Sequence, residues 1–224
     1  MSQTVAVAGA TGYLGRHVCA ALADEGFAVR ALVRSRQTAL EPHSFPAPAL
    51  QDIVTEWRVV DYARPDTLSG VLDGADRVVS TLGVTRQKAS PWDIDFLGNL
   101  RLLEQAEACG VRSFCYANVL RSESGTSLIM RAKHAFSQVL RRSPVSGQIV
   151  NPSGYFSDMT DVLLMARKGI GVVIGDGQAH FNPIHGADLA AFIAEKVTGP
   201  AGEWDVGGPD VFTYQELAEL AFDI

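Results

Sequence analysis

The stretch Val5-Ala6-Val7-Ala8-Gly9-Ala10-Thr11-Gly12-Tyr13-Leu14-Gly15-Arg16-His17-Val18 reads as a buried strand, a glycine turn and the start of a helix. A bound nucleoside diphosphate requires that order of elements. Gly9 permits the tight turn out of the strand, Gly12 lets backbone approach a pyrophosphate, and Gly15 lets the helix pack closely on the strand. Thr11, Tyr13 and Leu14 complete the turn, and the N–H groups and positive dipole end of the new helix face the phosphate charge. Leu14, Val18 and Leu22 then fall on one helical face.

The rest of the chain fits one α/β domain. Its 224 residues alternate strand-like and helical runs, with strands expected near 4–8, 27–33, 55–60, 77–82, 112–117 and 147–151. Helices are expected near 13–24, 65–72, 93–109, 126–142, 157–168, 186–197 and 213–222, and the proline-bearing segment 35–52 as an excursion loop. The pattern predicts a Rossmann-type doubly wound parallel sheet, with a nucleotide-binding domain over 1–151 and a smaller substrate-binding lobe over 152–224. Thr213-Tyr214-Gln215-Glu216 is a capping box for the final helix. The sequence stops at Ile224 without a C-cap, which reads as a truncated chain or as a last helix with no further cover.

Net charge of −6 argues against a nucleic-acid partner, since no basic stripe exists to neutralise phosphates. Arg141-Arg142 and the scattered arginines read as solvated helix faces. No apolar run reaches membrane-helix length and no secretory signal is visible. Three cysteines (Cys19, Cys109 and Cys115) without a CxxC pair fit a reducing cytoplasm, and five dispersed histidines give no metal site. The implied partner is a small-molecule substrate, with a homodimer or a protein partner left open.

The second strand selects the cofactor. It ends in Arg34-Ser35-Arg36, and no acid occurs between Glu25 and Glu41 to bind the ribose hydroxyls of NAD. Arg34, and Arg36 as the weaker candidate, suit a 2′-phosphate, so NADP(H) is preferred over NAD(H). Asp61 sits where it can bind an adenine amino group or simply cap the third strand. Ser80, Thr81, Leu82 and Gly83 are placed beside the adenosine ribose, where Gly83 allows close backbone approach.

These residues resemble the short-chain dehydrogenase/reductase superfamily, and within it the atypical NmrA-like NAD(P)H-binding group. The resemblance rests on Ala8–Gly15, on Gly98-Asn99-Leu100 to Gly110–Phe114, on Asn151–Met159, on Asn182–Ala190 and on Gly207-Gly208-Pro209, and so covers nearly the whole chain. It implies catalysis by a Ser, a Tyr and a Lys four residues after the Tyr. Lys133 matches the Lys, which would also hold the nicotinamide ribose. Ile129 occupies the Tyr position, and Asn118 stands at the Ser position, where an amide can polarise a carbonyl but cannot act as an acid. Lys133 could donate the proton itself if burial lowers its pKa. Tyr116 reads as core, though its phenol could replace the missing one. Pro152, Tyr155 and Phe156 stand at the lip of the last strand, where an aromatic face could cover the nicotinamide or pack the helix start. His185 and Asp188 read as a helix opening in preference to a catalytic pair. No Gly-x-Ser-x-Gly elbow supports a serine hydrolase.

Two functions follow. One is an NADPH-dependent oxidoreductase for a small molecule, in which Lys133 or a bound water supplies the proton and Asn118 orients the acceptor. The other is a non-catalytic NADP(H)-sensing regulatory or assembly protein. An epimerase or dehydratase is weaker, because those relatives usually keep the Tyr.

Overall fold

The computed structural model describes residues 2–84, 89–171, 173 and 175–223. β1 (Thr4–Ala8) leads through the glycine turn into α1 (Tyr13–Asp24), then β2 (Ala28–Val33), a single turn α2 (Arg36–Ala39) and β3 (Glu56–Val59). A 3₁₀ turn at Pro65–Leu68 precedes β4 (Arg77–Ser80). A π-helical turn, Trp92–Gly98, runs directly into α3 (Asn99–Ala108), followed by β5 (Ser113–Ala117), α4 (Leu128–Leu140) and β6 (Ser146–Pro152). The remainder holds a 3₁₀ turn (Phe156–Met159), α5 (Thr160–Ala166), β7 (His180–Phe181), α6 (Gly186–Lys196), β8 (Gly202–Val206), β9 (Phe212–Thr213) and α7 (Tyr214–Asp223).

Seven strands form one sheet in the order β3-β2-β1-β4-β5-β6-β8, and every pairing in it is parallel. The chain builds outward from β1 toward β3, then returns to the other side of β1 as β4. A crevice therefore opens beyond the carboxyl ends of β1 and β4, where the winding reverses. Alternate residues of β1 feed opposite cores. Val5 and Val7 join Val18, Leu22 and Ile193 beneath α1 and α6. Ala6 and Ala8 join Leu102, Phe114, Phe136 and Leu140 beneath α3 and α4.

Past residue 152, α6 packs its Leu189, Ala190 and Ile193 into the β1 core and β8 extends the main sheet beside β6. Among the described residues past 152, the segments around α5, the β7–β9 pair and α7 stand apart from that sheet. β8 itself has no counterpart among the expected strands. Its partly buried Trp204 alternates with exposed Glu203 and Asp205, the signature of an edge strand with one wet face.

The arginines were also misjudged from sequence, for Arg16, Arg30 and Arg77 are buried. Arg16 donates to the carbonyls of Thr11 (3.2 Å), Pro48 (3.2 Å), Ala39 (3.0 Å) and Glu41 (2.7 Å). Its guanidinium thus fastens the 39–48 loop to the glycine turn. Arg30 bonds Glu56 (2.5 Å) and the carbonyls of Val71 and Asp73. Arg77 bonds Gln3, Ser113 and the carbonyl of Val197. Desolvation of each cation is offset by several acceptors at once.

Arg16→Met should cost about 2–4 kcal/mol, because it strands buried carbonyls. Hydrogen exchange should show the lost protection concentrated in residues 39–48 and the turn at Thr11. Uniform loss across the sheet would refute the tether.

Candidate functional site

The glycine turn is fixed by contacts that only glycine survives at two of its positions. Gly9 adopts φ +76°, and a Cβ there would lie 2.8–2.9 Å from Thr81. A Cβ at Gly15 would lie 2.1 Å from the carbonyl oxygen of Gly9. Gly12 differs, since its Cβ would meet only that same oxygen, at 3.3 Å, and the residue is exposed. Gly12 is the N-cap of α1, with no capping side chain and no acidic residue in the first turn. The orphan N–H groups and the dipole therefore face the crevice uncompensated, and the approach over Gly12 is open. That arrangement fits a nucleoside diphosphate.

Around the turn, Leu14 is buried and Thr11 half-buried. The Tyr13 hydroxyl accepts from the N–H of Gly186 (3.2 Å), and its ring meets His17 edge-on at 4.9 Å and Tyr155 at 6.2 Å. Tyr155 thus packs beside the glycine turn, and burial pushes its hydroxyl pKa up. Pro152 is buried at the end of β6, its carbonyl accepting from Leu120 (2.9 Å). His185 is the N-cap of α6, its ring accepting from Ala187 (3.2 Å), and Asp188 lies in the first turn, the helix-opening role expected of them.

At the far end of β2, Arg34 and Arg36 are exposed, and Arg36 lies over the Trp57 ring at 5.7 Å. Asp61 closes a turn by accepting from Ala63 (3.0 Å) through Oδ1. The β4 end needs correction. Ser80 is fully buried, its Oγ donating to Asn99 Oδ1 (2.5 Å), and Thr81 Oγ1 donates to Ala8 (3.1 Å). Leu82 is buried, and a Cβ at Gly83 would meet Asp95 Oδ1 (2.9 Å) and Lys133 Nζ (3.4 Å). These side chains brace the strand end.

Lys133 stands at the carboxyl end of β5. Its Nζ donates to the carbonyl of Ala117 (3.0 Å), lies 3.4 Å from Asp95 Oδ1 and sits 5.0 Å over the Tyr116 ring. Lys133 is thus no solvated helical lysine. Burial lowers its pKa while Asp95 opposes that; burial raises the Asp95 carboxyl while Lys133 opposes that in turn. Asp95 escaped the sequence reading, because nothing in Trp92-Asp93-Ile94-Asp95 marks which carboxylate turns inward. Tyr116 is fully buried, its hydroxyl unpartnered and its pKa far above normal, so it cannot replace the missing phenol. Ile129 lies in the first turn of α4 and is exposed.

Asn118 also requires correction as a carbonyl-polarising donor. Its amide N–H groups are spent on Ser122 (3.0 Å) and Asn151 Oδ1 (2.8 Å), and its buried Oδ1 has no partner. Asn151 in turn donates to Glu203 (2.9 Å) and Asp205 (3.0 Å), which fixes the direction of the relay. A groove of about 460 Å³ flanks the start of α4 beside Trp92, Ser122, Arg131 and His134, but neither Lys133 nor the glycine turn lines it.

The sequence profile of an NAD(P)H-binding family matches residues 9–200, and the chain belongs to that family. It is 28% identical over 159 residues to a photosystem II assembly factor of Cyanophora paradoxa, covering 70% of this chain and 47% of the relative. It is 28% identical over 206 residues to the chloroplastic divinyl chlorophyllide a 8-vinyl-reductase of Zea mays, covering 86% and 51%. The chain spans about half the length of these curated relatives. In fold it matches the NADPH complex of an NADPH-dependent quinone oxidoreductase from Escherichia coli, with a TM-score of 0.80 at 21% identity, covering 98% of this chain and 74% of that one. The seven-stranded parallel architecture is therefore that of a Rossmann-type NAD(P)H-binding protein. Among the described residues no helix is long and apolar enough to cross a membrane.

Two substitutions separate packing from ligand contact. Gly15→Ala should push α1 off β1 and cost about 1–3 kcal/mol or more in denaturant unfolding. Gly12→Ala should unfold within ~1 kcal/mol of the parent yet weaken NAD(P)H binding at least roughly tenfold, because its methyl group enters the phosphate approach. Equal affinity in Gly12→Ala would remove the diphosphate from this turn. A pH effect is expected from the rings packed on Tyr13, for burial lowers the pKa of His17 and His43. The folded state then binds fewer protons than the unfolded chain below the ordinary His value, so stability holds above about pH 6.5 and falls below it. Thermal unfolding at pH 7 and about pH 5.5 should show this loss, shallower in His17→Gln.

Proposed function

We propose that this chain binds NADP(H) in preference to NAD(H) and serves as a reductase for a small, conjugated acceptor. The observation that carries the reading is the uncapped, acid-free start of α1 above an open Gly12, with a half-buried Lys133 at the adjoining strand ends. The reduced nicotinamide, when bound, supplies the hydride. Thr11, Gly12, Tyr13 and Gly15 surround the diphosphate, Arg34 pairs with the 2′-phosphate and Asp61 Oδ2 receives the adenine amino group. Lys133 holds the nicotinamide ribose and, with solvent, returns the proton. Asn118 keeps Ser122 and Asn151 in place at the β5 and β6 ends. The reductase among the relatives and the quinone oxidoreductase fold support this assignment.

A second reading is a dinucleotide-binding assembly or regulatory protein. Ile129 at the phenol position and the assembly factor among the relatives favour it. NADPH oxidation over a panel of quinones, enones and aldehydes separates the two. At least one acceptor should accelerate oxidation above background; tight NADPH binding with no acceptor turned over would leave only the second reading. Arg34→Ala should weaken NADPH by roughly tenfold, the worth of a charge-assisted pair, and leave NADH unchanged. An unaltered NADPH/NADH ratio would cancel the preference.

A further inference from the structure

The segments around α5 and α7 present an apolar face that the chain leaves uncovered. Leu164 and Met165 on α5, Ile170 and Val173 just past it, and Leu220 and Phe222 on α7 are all exposed, Ile170 by 53% and Phe222 by 51%. A groove of about 150 Å³ runs between the two helices, with Leu163 and Leu217 in its lining. Phe222 closes on Gly171, where a Cβ would lie 3.3 Å from its ring, so the end of α7 stands level with the end of α5. A contiguous face of large apolar side chains in water marks an interaction surface. The two sides of the groove carry opposite charge. Arg167 and Lys168 follow α5, whereas Glu219 and Asp223 lie four residues apart on one face of α7, and all four are exposed. Among the described residues no ion pair joins the two sets.

We propose that this face is a contact between two copies of this chain, related by a two-fold axis that runs along the α5–α7 groove. Rotation about that axis lays each α5 against the α7 of the other copy. The basic end of one helix then meets the acidic end of the other, and the symmetry repeats the match. The exposed apolar side chains meet across the groove and form the dry centre of the contact. A second copy suits the face better than a lipid surface does, since Glu219 and Asp223 would repel the anionic headgroups that Arg167 and Lys168 attract. Neither Lys133 nor the glycine turn lines this groove, so association of two copies and binding of a dinucleotide can be tested separately.

Sedimentation equilibrium of the full chain from about 1 to 100 μM should show the average mass rising toward that of a dimer, as mass action requires. Leu164→Asp and Phe222→Asp, each checked for fold by circular dichroism, should weaken the dimer at least roughly tenfold. Charge reversal reads the two-fold arrangement, and carries the test should either of those variants fail to fold. Arg167→Glu with Lys168→Glu should weaken self-association, and so should Glu219→Lys with Asp223→Lys. Mixing these two variant chains should restore the dimer, because both copies of the contact then pair opposite charges again. A parent chain that stays monomeric over that range overturns the proposal, as does a dimer unmoved by Leu164→Asp and Phe222→Asp. Failure of the mixed charge variants to associate overturns the two-fold arrangement. A monomer that floats with phosphatidylserine vesicles, and no longer does so as Leu164→Asp, would give the face to a lipid surface and overturn the proposal as well.

Discussion

The start of α1 and the turn out of β1 approach so closely that only a hydrogen on Gly15 separates the helix from the Gly9 carbonyl. Nearly everything useful follows from it. Contact at that range sets the axis of α1 over the crevice, so the helix dipole and its orphan N–H groups point where the sheet reverses its winding. Thr81 closes on Gly9 from β4, the strand on the other side of the reversal. Arg16, one residue past Gly15, then pulls the 39–48 loop down through four backbone carbonyls. One short-range constraint thus positions helix, neighbouring strand and loop together.

The carboxyl ends of the central strands carry a second layer of order, which is polar. Ser80, Asn99 and Asp95 run from β4 to the π-helical turn; Lys133 and Ala117 carry the line to β5. Asn118 and Asn151 extend it from β5 across β6 to the carboxylates on β8. Apolar side chains would fill the same volume at lower desolvation cost. What the polar chain adds is direction, because each amide has its donors assigned by its neighbours. Such a chain specifies where an ammonium and a set of backbone groups point, and a hydrocarbon core cannot.

The legible part of this molecule was the part written in local pattern. Apolar runs located β1, β2, β4, β5 and β6, and the capping box at Thr213 and Glu216 forms as its spacing demands, with both hydrogen bonds made. The glycine turn was readable because each glycine answers to a separate steric demand. What stayed hidden depends on long-range burial. The Trp92-Asp93-Ile94-Asp95 run offers two identical carboxylates, and only the packing of α4 against the π-helical turn decides which one goes inside. Asn118 was read from its position at the strand end, whereas its competence turned on Ser122 and Asn151, neither adjacent in sequence. Arg16 looked like a surface arginine because the loop that covers it has no periodic pattern. β8 was missed for the opposite reason, since half of its residues face water.

The loss of a phenol at Ile129 bears on which reactions such a crevice can support. Tyr116 cannot substitute, as its hydroxyl is sealed beneath Lys133 and burial holds it neutral. An isolated ketone reduced by hydride becomes an alkoxide, a strong base that needs a well-placed acid as it forms. A conjugated acceptor spreads the arriving charge, and its product oxygen has a basicity near that of a phenolate, around 10 on the pKa scale. An ammonium paired with a carboxylate, lowered by burial and raised again by its partner, is a competent acid for that oxygen and a poor one for an alkoxide. The proposed preference for conjugated acceptors therefore follows from the acid that remains, independently of the shape of the outer lobe.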